Sequence, residues 1–431
     1  MPDVVVVGAG ISGLTCAWQL RRAGLDVLVL EAKERPGGVI SSHQVDGFLV
    51  ESGPNTILPT PRTLTTINQL GLSEELVTAP PKSPRFMYFG GRLRKVPLGV
   101  LSVPGMLRAL GEPLVSRGVA EEETLASFFT RRFGPEIHDR LAAPFVTGIW
   151  AGDTGRLSVD ATFPKLVEFE RRYGSVILGM LRSPRTGPRA KLAAFRDGMG
   201  TLPLRLARDL DIRFGVAEVR LSGGLGVEWD RDSAAPKAIV LACPAYVAAR
   251  LTRPVSNDLA DLLDAAHYAP MLVAATSIAD GQLDRPLDGF GFLVPRSEQL
   301  HILGTLFSSS LFPNRAPPGS ALLTSFLGGA LEPDAIRWSD ERVWETVTLE
   351  LKKVLGPKGS VEPVRLFRQE RAIPQYGIGH RKWLANVKGR LEGLAGLFLT
   401  GSYLDGVSVP ASMEHGSRTG DVVIEYVRRS S

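Results

Sequence analysis

Cysteine is almost absent from this sequence. The 431 residues contain two cysteines, Cys16 and Cys243, and both lie inside apolar runs. Two cysteines exclude a disulfide framework and a multi-cysteine metal site, and they favour a reducing compartment. The first residues, MPDVVVVGAG, also lack the charged flank and the cleavage site of a secretory signal. We therefore expect the protein in the cytoplasm.

Long apolar runs and a strong charge bias are missing as well. The longest runs without a charged residue fall short of the about 18 residues that a transmembrane helix needs. The net charge is only +5, and the six histidines show no metal-ligand spacing, so we predict no metal site. One basic run contains Arg182, Arg185, Arg189, Lys191 and Arg196 in a stretch rich in serine, proline and glycine. We interpret it as a solvated loop rather than a contact for nucleic acid or lipid.

The composition is that of a globular protein. Hydrophobic residues make up 44% of the chain and charged residues 22%, which excludes a disordered or fibrous protein. The length allows roughly two to three domains of about 150 residues.

The amino-terminal residues carry a dinucleotide-binding pattern. An apolar strand pattern from Asp3 to Val7 is followed at once by Gly8, Gly10 and Gly13 in the spacing GxGxxG. A helical pattern and a second strand come next, and that strand ends in Glu31. The first glycine permits a tight turn, the second lets backbone approach a pyrophosphate, and the third allows a helix to pack closely on the sheet. A carboxylate at the end of the second strand can accept hydrogen bonds from ribose hydroxyls.

The residues that follow distinguish flavin from nicotinamide. Glu31 continues as AKERPGGVI, with a second glycine pair, and residues 53–56 read GPNT. Together these motifs resemble the amino-terminus of the amine oxidase and protoporphyrinogen oxidase superfamily. The resemblance implies FAD rather than NAD. The cofactor-binding residues that it implies are Gly8, Ala9, Gly10, Ile11, Ser12, Gly13, Glu31, Ala32, Arg35, Gly38, Val39, Gly53, Pro54, Asn55, Thr56, Val216, Val407, Ser408 and Val409.

The carboxyl-terminal residues are predicted to complete the cofactor site. Residues 397–400 read as a buried strand and residues 409–426 as a helix, with Gly416 and Gly420 on one smooth face. The resemblance places the start of this helix beside the pyrimidine end of the flavin. A helix amino-terminus stabilises negative charge there, so this helix should favour reduction. Because no cysteine follows Cys243, we expect FAD to be bound non-covalently.

A middle segment is predicted to return to the cofactor domain. Residues 201–210 read as a helix, and residues 213–221 and 238–243 as strands. By the resemblance, a residue of the first strand touches the adenine end through its backbone. That residue would be Val216, with Val219 as the alternative register.

Four later segments resemble the porphyrinogen oxidase branch of the superfamily. They are residues 83–91, 145–153, 289–295 and 303–313. The resemblance implies that an arginine, Arg85, faces a substrate propionate, which suits the paired hydrogen bonds of a guanidinium with a carboxylate. Apolar walls would hold a macrocycle over the flavin. The implied substrate-binding residues are Arg85, Asn55, Leu293, Phe312 and Gly148.

The activity that the resemblance implies is the oxidation of protoporphyrinogen IX to protoporphyrin IX. Six electrons pass through FAD to dioxygen, which becomes hydrogen peroxide. That scheme demands no acid or base from the protein, and we assign none. Oxidation of coproporphyrinogen III, an FAD-dependent amine oxidase, and a flavin- or porphyrin-binding protein without turnover remain alternatives.

The predicted fold class is α/β, with a two-dinucleotide-binding (Rossmann-like) FAD domain, a mixed-sheet substrate domain and a helical insertion. The FAD domain would comprise residues 1–80, 196–250 and 388–431, and the substrate domain residues 81–97 and 251–387. The insertion, residues 98–190, shows amphipathic helical patterns over residues 125–133 and 163–181. In the resembling family such an insertion rests on a membrane. Residues 96–107 are uncharged and Arg108 follows, which fits either a peripheral contact with the inner face of the cytoplasmic membrane or a helix that packs inward. The sequence leaves the oligomeric state open, with a homodimer as one possibility.

Overall fold

A computed structural model describes residues 1–97, 99–118, 120–183, 191–223, 225–283 and 286–430. Its strands are β1 (Val4–Val7), β2 (Val27–Leu30), β3 (Ser42–Val45), β4 (Phe48–Glu51), β5 (Leu76–Thr78), β6 (Arg85–Phe89), β7 (Arg92–Lys95), β8 (Ala193–Phe195), β9 (Asp211–Arg213), β10 (Val219–Ser222), β11 (Gly226–Trp229), β12 (Asp232–Ala234), β13 (Ala238–Leu241), β14 (Tyr268–Ala279), β15 (Gly291–Leu293), β16 (Ile302–Leu306), β17 (Ser320–Gly328), β18 (Glu362–Pro374) and β19 (Leu397–Leu399).

The helices are α1 (Ile11–Arg22), α2 (Pro61–Gln69), α3 (Val103–Leu110), α4 (Leu125–Phe133), α5 (Pro135–Ile137), α6 (Ala143–Trp150), α7 (Val159–Thr162), α8 (Pro164–Tyr173), α9 (Val176–Arg182), α10 (Thr201–Ala207), α11 (Ala245–Thr252), α12 (Asn257–Asp264), α13 (Ser308–Leu311), α14 (Asp340–Leu355), α15 (His380–Glu392) and α16 (Val409–Arg429). Short 3-10 turns lie at Ser73–Glu75, Glu112–Leu114, Arg296–Glu298 and Pro333–Arg337, and a π turn lies at His138–Ala142.

A five-stranded parallel sheet forms the centre of the cofactor domain. Its order is β19-β13-β1-β2-β9. All four residues of β1 are buried, because α1 and α16 cover one face of the sheet and α11 covers the other. A strand that is covered on both faces reads as a continuous apolar run rather than an alternating one. The structure thus confirms the α/β class, and the amino-terminal strands lie within one residue of their predicted positions.

The strand predicted over residues 213–221 is wrong. The parallel strand β9 ends at Arg213, and the chain then turns at Gly215, which has a φ of +69°. The amide of Val216 bonds to the carbonyl of Glu31 at 3.0 Å, and Val219 opens β10 in a separate antiparallel sheet with β11 and β12. The left-handed backbone conformation of Gly215 interrupts the extended chain. The residues predicted as one strand therefore belong to two different sheets.

The second large sheet has seven strands in the order β18-β14-β17-β16-β15-β6-β7. It is mixed, since β15 pairs with β6 in parallel and the other pairs are antiparallel. One face packs against α14 through a fully buried cluster that includes Leu272 and Val347. The opposite face, which we call the cofactor-side face, meets Phe48 and Val50 of the β3–β4 hairpin.

The domain boundaries stay a prediction, but two helices pack on a different sheet from the one that the predicted boundaries imply. Leu259 and Leu263 of α12 and Val387 of α15 belong to the same buried cluster as the central parallel strands. Both helices therefore pack on the cofactor sheet, although most of their residues fall in the range predicted for the substrate domain. An apolar helix pattern shows that a helix is half-buried but does not show which sheet buries it.

The helical insertion has a small core of its own, around Leu125, Phe128 and Trp150. The predicted amphipathic stretch at residues 125–133 is α4. The stretch predicted over residues 163–181 is divided into α8 and α9, because Gly174 takes a left-handed conformation with a φ of +74°. Among the described residues, no helix is both long and apolar enough to cross a bilayer. Two arginines of the basic run, Arg185 and Arg189, lie outside the described residues.

Candidate cofactor and substrate site

The three fingerprint glycines meet different surroundings. A Cβ at Gly8 would lie 2.9 Å from the Ala242 carbonyl oxygen, and the φ of Gly8 is +110°. A Cβ at Gly13 would lie 2.1 Å from the carbonyl oxygen of Gly8. At Gly10, by contrast, no described atom lies within 4 Å of that position. Two glycines are therefore required by the packing of the protein itself, and Gly10 leaves space at the start of α1.

Glu31 is held beside this space in one orientation. Its carboxylate accepts hydrogen bonds from the amides of Ala9 at 2.6 Å and Lys33 at 2.9 Å, and the residue is 8% exposed. Val216 lies next to it through the backbone bond described above. A carboxylate fixed by two amides at the end of β2 is suitably placed to bind ribose hydroxyls, as the spacing predicts.

The second glycine pair lies directly against the first. Gly37 forms a parallel bridge with Gly10, and a Cβ at Gly38 would lie 3.3 Å from the Gly10 Cα. The Arg35 guanidinium donates to three carbonyls of this loop at 3.1–3.3 Å. A Cβ at Gly53 would lie 2.3 Å from the Val39 carbonyl oxygen, which brings the GPNT segment onto the same loop. Arg35 therefore orders the loop through its carbonyls.

The GPNT residues and their neighbours reach the last helix. The Asn55 amide donates to the Gly53 carbonyl at 3.0 Å, and Thr60 donates a hydrogen bond to Glu414 of α16. Ser408 caps α16, because its hydroxyl accepts from the amide of Ala411 at 3.3 Å.

Helix α16 touches the first helix at one glycine. A Cβ at Gly416 would lie 2.2 Å from the carbonyl oxygen of Ser12, whereas one at Gly420 would lie 3.4 Å from the nearest atom, in Gln19. Gly416 is thus the glycine of this face that the packing strictly requires. Both ends of the described chain converge here, as the sequence predicts.

Other predicted cofactor residues surround the same place. Ile11 and Ser12 lie in the first turn of α1 and are buried, as is Val409 at the start of α16. Ala32 and Val39 are exposed, Ser408 is exposed, and Pro54, Thr56 and Val407 are half-buried. The amides at the start of α1 and the glycine loop form a site that suits a pyrophosphate, with Glu31 for the ribose. The residues present therefore fit FAD.

The cofactor-side face of the large sheet stays partly accessible. By the register of β15, β16, β17 and β18, the side chains of Leu293, Leu306, Phe326 and Phe367 share this face and are half-buried. The opposite face is closed, since Phe292, Leu272 and Leu323 are at most 3% exposed under α14. A flat apolar surface therefore remains accessible on the side of the cofactor domain.

Three predicted substrate residues come together on this face. Arg85 is opposite Gly291, two residues from Leu293, and its guanidinium carbon is 5.3 Å from the Phe290 ring centroid. Leu293 contacts α6 at Gly148, where a Cβ would lie 2.9 Å from the Leu293 Cδ2. Residue 148 must therefore be glycine, because Leu293 occupies the space that a larger side chain would need.

Phe312 is not on this face, so its predicted role as an apolar wall is wrong. It is 4% exposed and belongs to the buried core of the cofactor domain, with Leu311. Leu306 and Phe326 lie on the cofactor-side face instead. Both strands that carry them are apolar on both faces, so alternation along the sequence did not single them out.

Two half-buried histidines, His380 and His415, are held in contacts with neighbouring side chains. Burial lowers the pKa of His380 to about 4, and that ring stacks on Tyr376 at 3.9 Å. Burial also lowers the pKa of His415 to about 4, and its Nδ1 is 2.9 Å from the Thr400 hydroxyl. Within the described part of the chain, no group of three or more metal-ligating side chains is present.

Comparison with known proteins decides the family. The model of the flavin containing amine oxidoreductase family matches residues 11–424. The chain belongs to that family. FAD is the cofactor of this flavin amine oxidoreductase, and the enzyme is an oxidoreductase, as the glycine motifs predict.

Three similar proteins match 98% or 99% of this chain. The chloroplastic protoporphyrinogen oxidase of Nicotiana tabacum is 35% identical over 99% of this chain and 86% of that protein. The coproporphyrinogen III oxidase of Bacillus subtilis is 25% identical, with 98% of both chains covered. A crystal structure from Exiguobacterium that carries a provisional protoporphyrinogen oxidase assignment superposes with a TM-score of 0.84, at 25% identity and 98% coverage of both chains.

Proposed function

We propose that this flavin oxidoreductase oxidises protoporphyrinogen IX to protoporphyrin IX. The observation that carries the proposal is the accessible apolar face of the large sheet, which looks toward the cofactor domain and has Arg85 at its edge. Full-length similarity to the tobacco protoporphyrinogen oxidase supports it. A flat tetrapyrrole gains from apolar contacts across its rings, and a propionate gains from a guanidinium.

The residues of the chain position the substrate rather than react with it. Leu293, Leu306 and Phe326 would contact the macrocycle, and Arg85 would orient one edge by pairing with a propionate. When bound, FAD supplies the chemistry of accepting hydride equivalents, and six electrons per macrocycle would pass to dioxygen to give hydrogen peroxide. Because both cysteines are buried in packing positions, we propose a non-covalent cofactor.

Coproporphyrinogen III is the second candidate substrate. The relative from Bacillus subtilis that carries this name matches 98% of the chain, although at lower identity than the tobacco protein. The two porphyrinogens differ in two side chains, which are propionates in coproporphyrinogen III and vinyl groups in protoporphyrinogen IX, so the same apolar face could accept either macrocycle.

The direct test supplies each porphyrinogen to the purified holoenzyme. We expect porphyrin fluorescence to rise in step with oxygen consumption, and the flavin absorbance to bleach when oxygen is removed. Primary amines are the comparison substrates. Bleaching by amines without bleaching by either porphyrinogen would disprove the proposal and favour an amine oxidase. A flavin that responds to none of these substrates would indicate a binding protein without turnover.

Removing the Arg85 guanidinium should weaken substrate binding more than it slows turnover. We expect Arg85→Ala to raise KM by about ten- to a hundredfold, since hydrogen bonds to a charged group contribute about 1.5–3 kcal/mol. A uniform loss of binding raises KM and leaves kcat nearly unchanged. Arg231→Ala, which removes an exposed arginine from the turn between β11 and β12, is the control. An equal fall in kcat would contradict an anchoring role.

A peripheral contact with the inner face of the cytoplasmic membrane is also part of the proposal. Four apolar side chains in and after α3 are strongly exposed: Val103 at 64%, Leu107 at 64%, Leu110 at 71% and Leu114 at 91%. Arg108 lies among them. Exposed apolar side chains next to a cation favour the surface of an anionic bilayer.

Introducing negative charge on α3 should release the protein from vesicles. We expect the double variant Leu107→Glu and Leu110→Glu to bind phosphatidylglycerol vesicles about tenfold more weakly or worse, measured by co-sedimentation. Both side chains are exposed, so the fold should persist. Leu349→Glu alters an equally exposed leucine on α14 and should bind like the parent protein. Parent protein that stays in the supernatant would argue against the membrane contact.

A further inference from the structure

The order of the parallel sheet separates the two ends of the cofactor site. Glu31 follows β2, on one side of β1, whereas residues 401–408 follow β19, on the other side of β1 and beyond β13. We call residues 401–408 the β19–α16 loop. The carboxyl ends of these parallel strands lie at one edge of the sheet, where a dinucleotide binds across several strands. With its adenosine ribose at Glu31 and its pyrophosphate at the start of α1, FAD would extend its flavin toward the β19–α16 loop.

Helix α16 projects beyond α1 at this edge. A Cβ at Gly416 would lie 2.2 Å from the Ser12 carbonyl oxygen, and one at Gly420 would lie 3.5 Å from that of Cys16, so the two helices run in the same direction. Helix α16 begins at Val409, seven residues before Gly416, whereas α1 begins one residue before Ser12. At 1.5 Å per residue, the start of α16 lies about 9 Å farther out than that of α1. Its first amides have no partner within the helix and carry partial positive charge, which stabilises the negative charge of a reduced flavin.

The hydroxyl of Tyr376 holds the β19–α16 loop. Tyr376 lies two residues after the end of β18, and its hydroxyl donates a hydrogen bond to the carbonyl of Ser402. The residue is 2% exposed, and burial raises the pKa of Tyr376, so the hydroxyl stays protonated and acts as the donor. The end of a strand in the large sheet is thereby connected to the loop that precedes α16.

The ring of Tyr376 is fixed between two other rings. That of Trp150, at the end of α6, lies at 4.8 Å with an interplanar angle of 64°, and that of His380 stacks at 3.9 Å with an angle of 10°. Tyr376 and Trp150 belong to the buried core of the helical insertion, and Val407 of the β19–α16 loop packs against the same core. The insertion core therefore contacts the loop at two points, through the Tyr376 hydroxyl at Ser402 and through Val407.

We propose that Tyr376 is a positioning residue for the flavin. Its hydroxyl holds the β19–α16 loop so that the first amides of α16 stay against the flavin and make the flavin easier to reduce. Tyr376 acts through the loop and does not contact the reacting atoms. The proposal goes beyond the proposed function, because it concerns the cofactor and does not depend on which substrate the enzyme oxidises.

The midpoint potential of the bound flavin tests the proposal without any substrate. Tyr376→Phe keeps the ring between Trp150 and His380 and removes only the hydroxyl. With the loop released, the α16 amides should move away from the flavin, and the reduced flavin should lose about tenfold more affinity than the oxidised flavin. For a two-electron couple this fold-change lowers the potential by about 30 mV. Equilibration of the holoenzyme with a reference redox dye measures the shift by absorbance.

Hydrogen exchange of the apoprotein supplies a second measurement. Residues 401–408 should exchange faster in Tyr376→Phe than in the parent protein, because a loop that loses a buried hydrogen bond opens more often. The matched control is Tyr88→Phe, which removes an equally buried tyrosine hydroxyl from the face of the large sheet that α14 covers. The control should change neither measurement.

Three results would overturn the positioning role. They are an unchanged potential in Tyr376→Phe, with or without faster exchange; an equal loss of affinity for both flavin forms; and an equal shift of the potential in Tyr88→Phe. Because no porphyrinogen is used, each of these results leaves the proposed function standing. Conversely, a holoenzyme that oxidises no porphyrinogen should still show the shift if Tyr376 positions the flavin.

Discussion

Replacing Gly10 by alanine should give a folded protein that does not retain FAD. The φ of Gly10 is −69°, which any residue adopts, and no described atom lies within 4 Å of the added methyl group. The apoprotein should therefore be as stable as the parent, or more stable by about 0.4–1 kcal/mol. The methyl group would occupy the space that backbone leaves for a pyrophosphate. We expect FAD to bind about a hundredfold more weakly or worse, a loss of about 3 kcal/mol.

Reconstitution of apoprotein with FAD measures this loss, and circular dichroism shows the fold. Gly13→Ala is the contrasting variant, since its methyl group would lie 2.1 Å from the Gly8 carbonyl oxygen and 2.7 Å from the Ala242 Cβ. Overpacking of this kind costs about 1–3 kcal/mol or more, so Gly13→Ala should lose stability and FAD together. If Gly10→Ala binds FAD as tightly as the parent, the space at the start of α1 is not the phosphate site.

Replacing Arg315 by leucine should destabilise the whole protein. Arg315 and Glu51 lie 3.9 Å apart and both side chains are 2% exposed. The guanidinium also donates to the carbonyls of Phe195 at 2.9 Å and Arg196 at 3.1 Å, and Glu51 accepts from the Met199 amide. Breaking a buried pair by removing one partner leaves an uncompensated charge and costs about 3–5 kcal/mol. We expect a fall of that size in the free energy of unfolding.

Chemical denaturation with a double-mutant cycle tests the cause. Burial raises the pKa of Glu51, so the carboxyl is already costly to ionise, and losing the cation makes it more so. Adding Glu51→Gln to Arg315→Leu should therefore recover part of the stability. Arg253→Leu removes one partner of an exposed pair with Asp261 and should have a small effect. A double variant that is as unstable as the sum of both single variants would indicate packing rather than charge.

This buried pair also shows why the two halves of the molecule stay together. Glu51 lies at the end of the β3–β4 hairpin, and Arg315 lies in the segment that leads into β17 of the large sheet. The arginine reaches across to the carbonyls of the last residue of β8 and of the residue after it. Its ion pair with Glu51 and its hydrogen bonds therefore hold the segment before β17 against both the β3–β4 hairpin and the end of β8. Loss of the pair should disturb the site as well as the fold.

The cofactor half of the site could be predicted from the sequence because its requirements are local. Gly8, Gly13 and Glu31 lie in one strand–turn–helix–strand unit, where spacing along the chain determines position in space. The same holds at the start of α16, which begins at Val409 as predicted. Gly416 required the structure, because its contact with Ser12 joins the two ends of the chain.

The substrate half was harder to predict. Phe312 and Phe326 are both phenylalanines in apolar surroundings, and nothing in their neighbours distinguishes a core residue from a wall residue. The register of β17 and β18 made the distinction, since it places Phe326 and Phe367 on the cofactor-side face. His43 and Phe367 are more than 300 residues apart in the chain and meet only where the β3–β4 hairpin packs against β18.

The sequence by itself determined the α/β class, the flavin and the family, because a nucleotide is bound by backbone amides whose positions depend on a few glycines close together in the chain. Tertiary structure alone decided which apolar side chains lie on the cofactor-side face and that the chain leaves the parallel sheet at Arg213. Those features depend on strand register and on contacts between distant segments. An apolar or basic residue type is compatible with several such positions, and only the folded chain selects one of them.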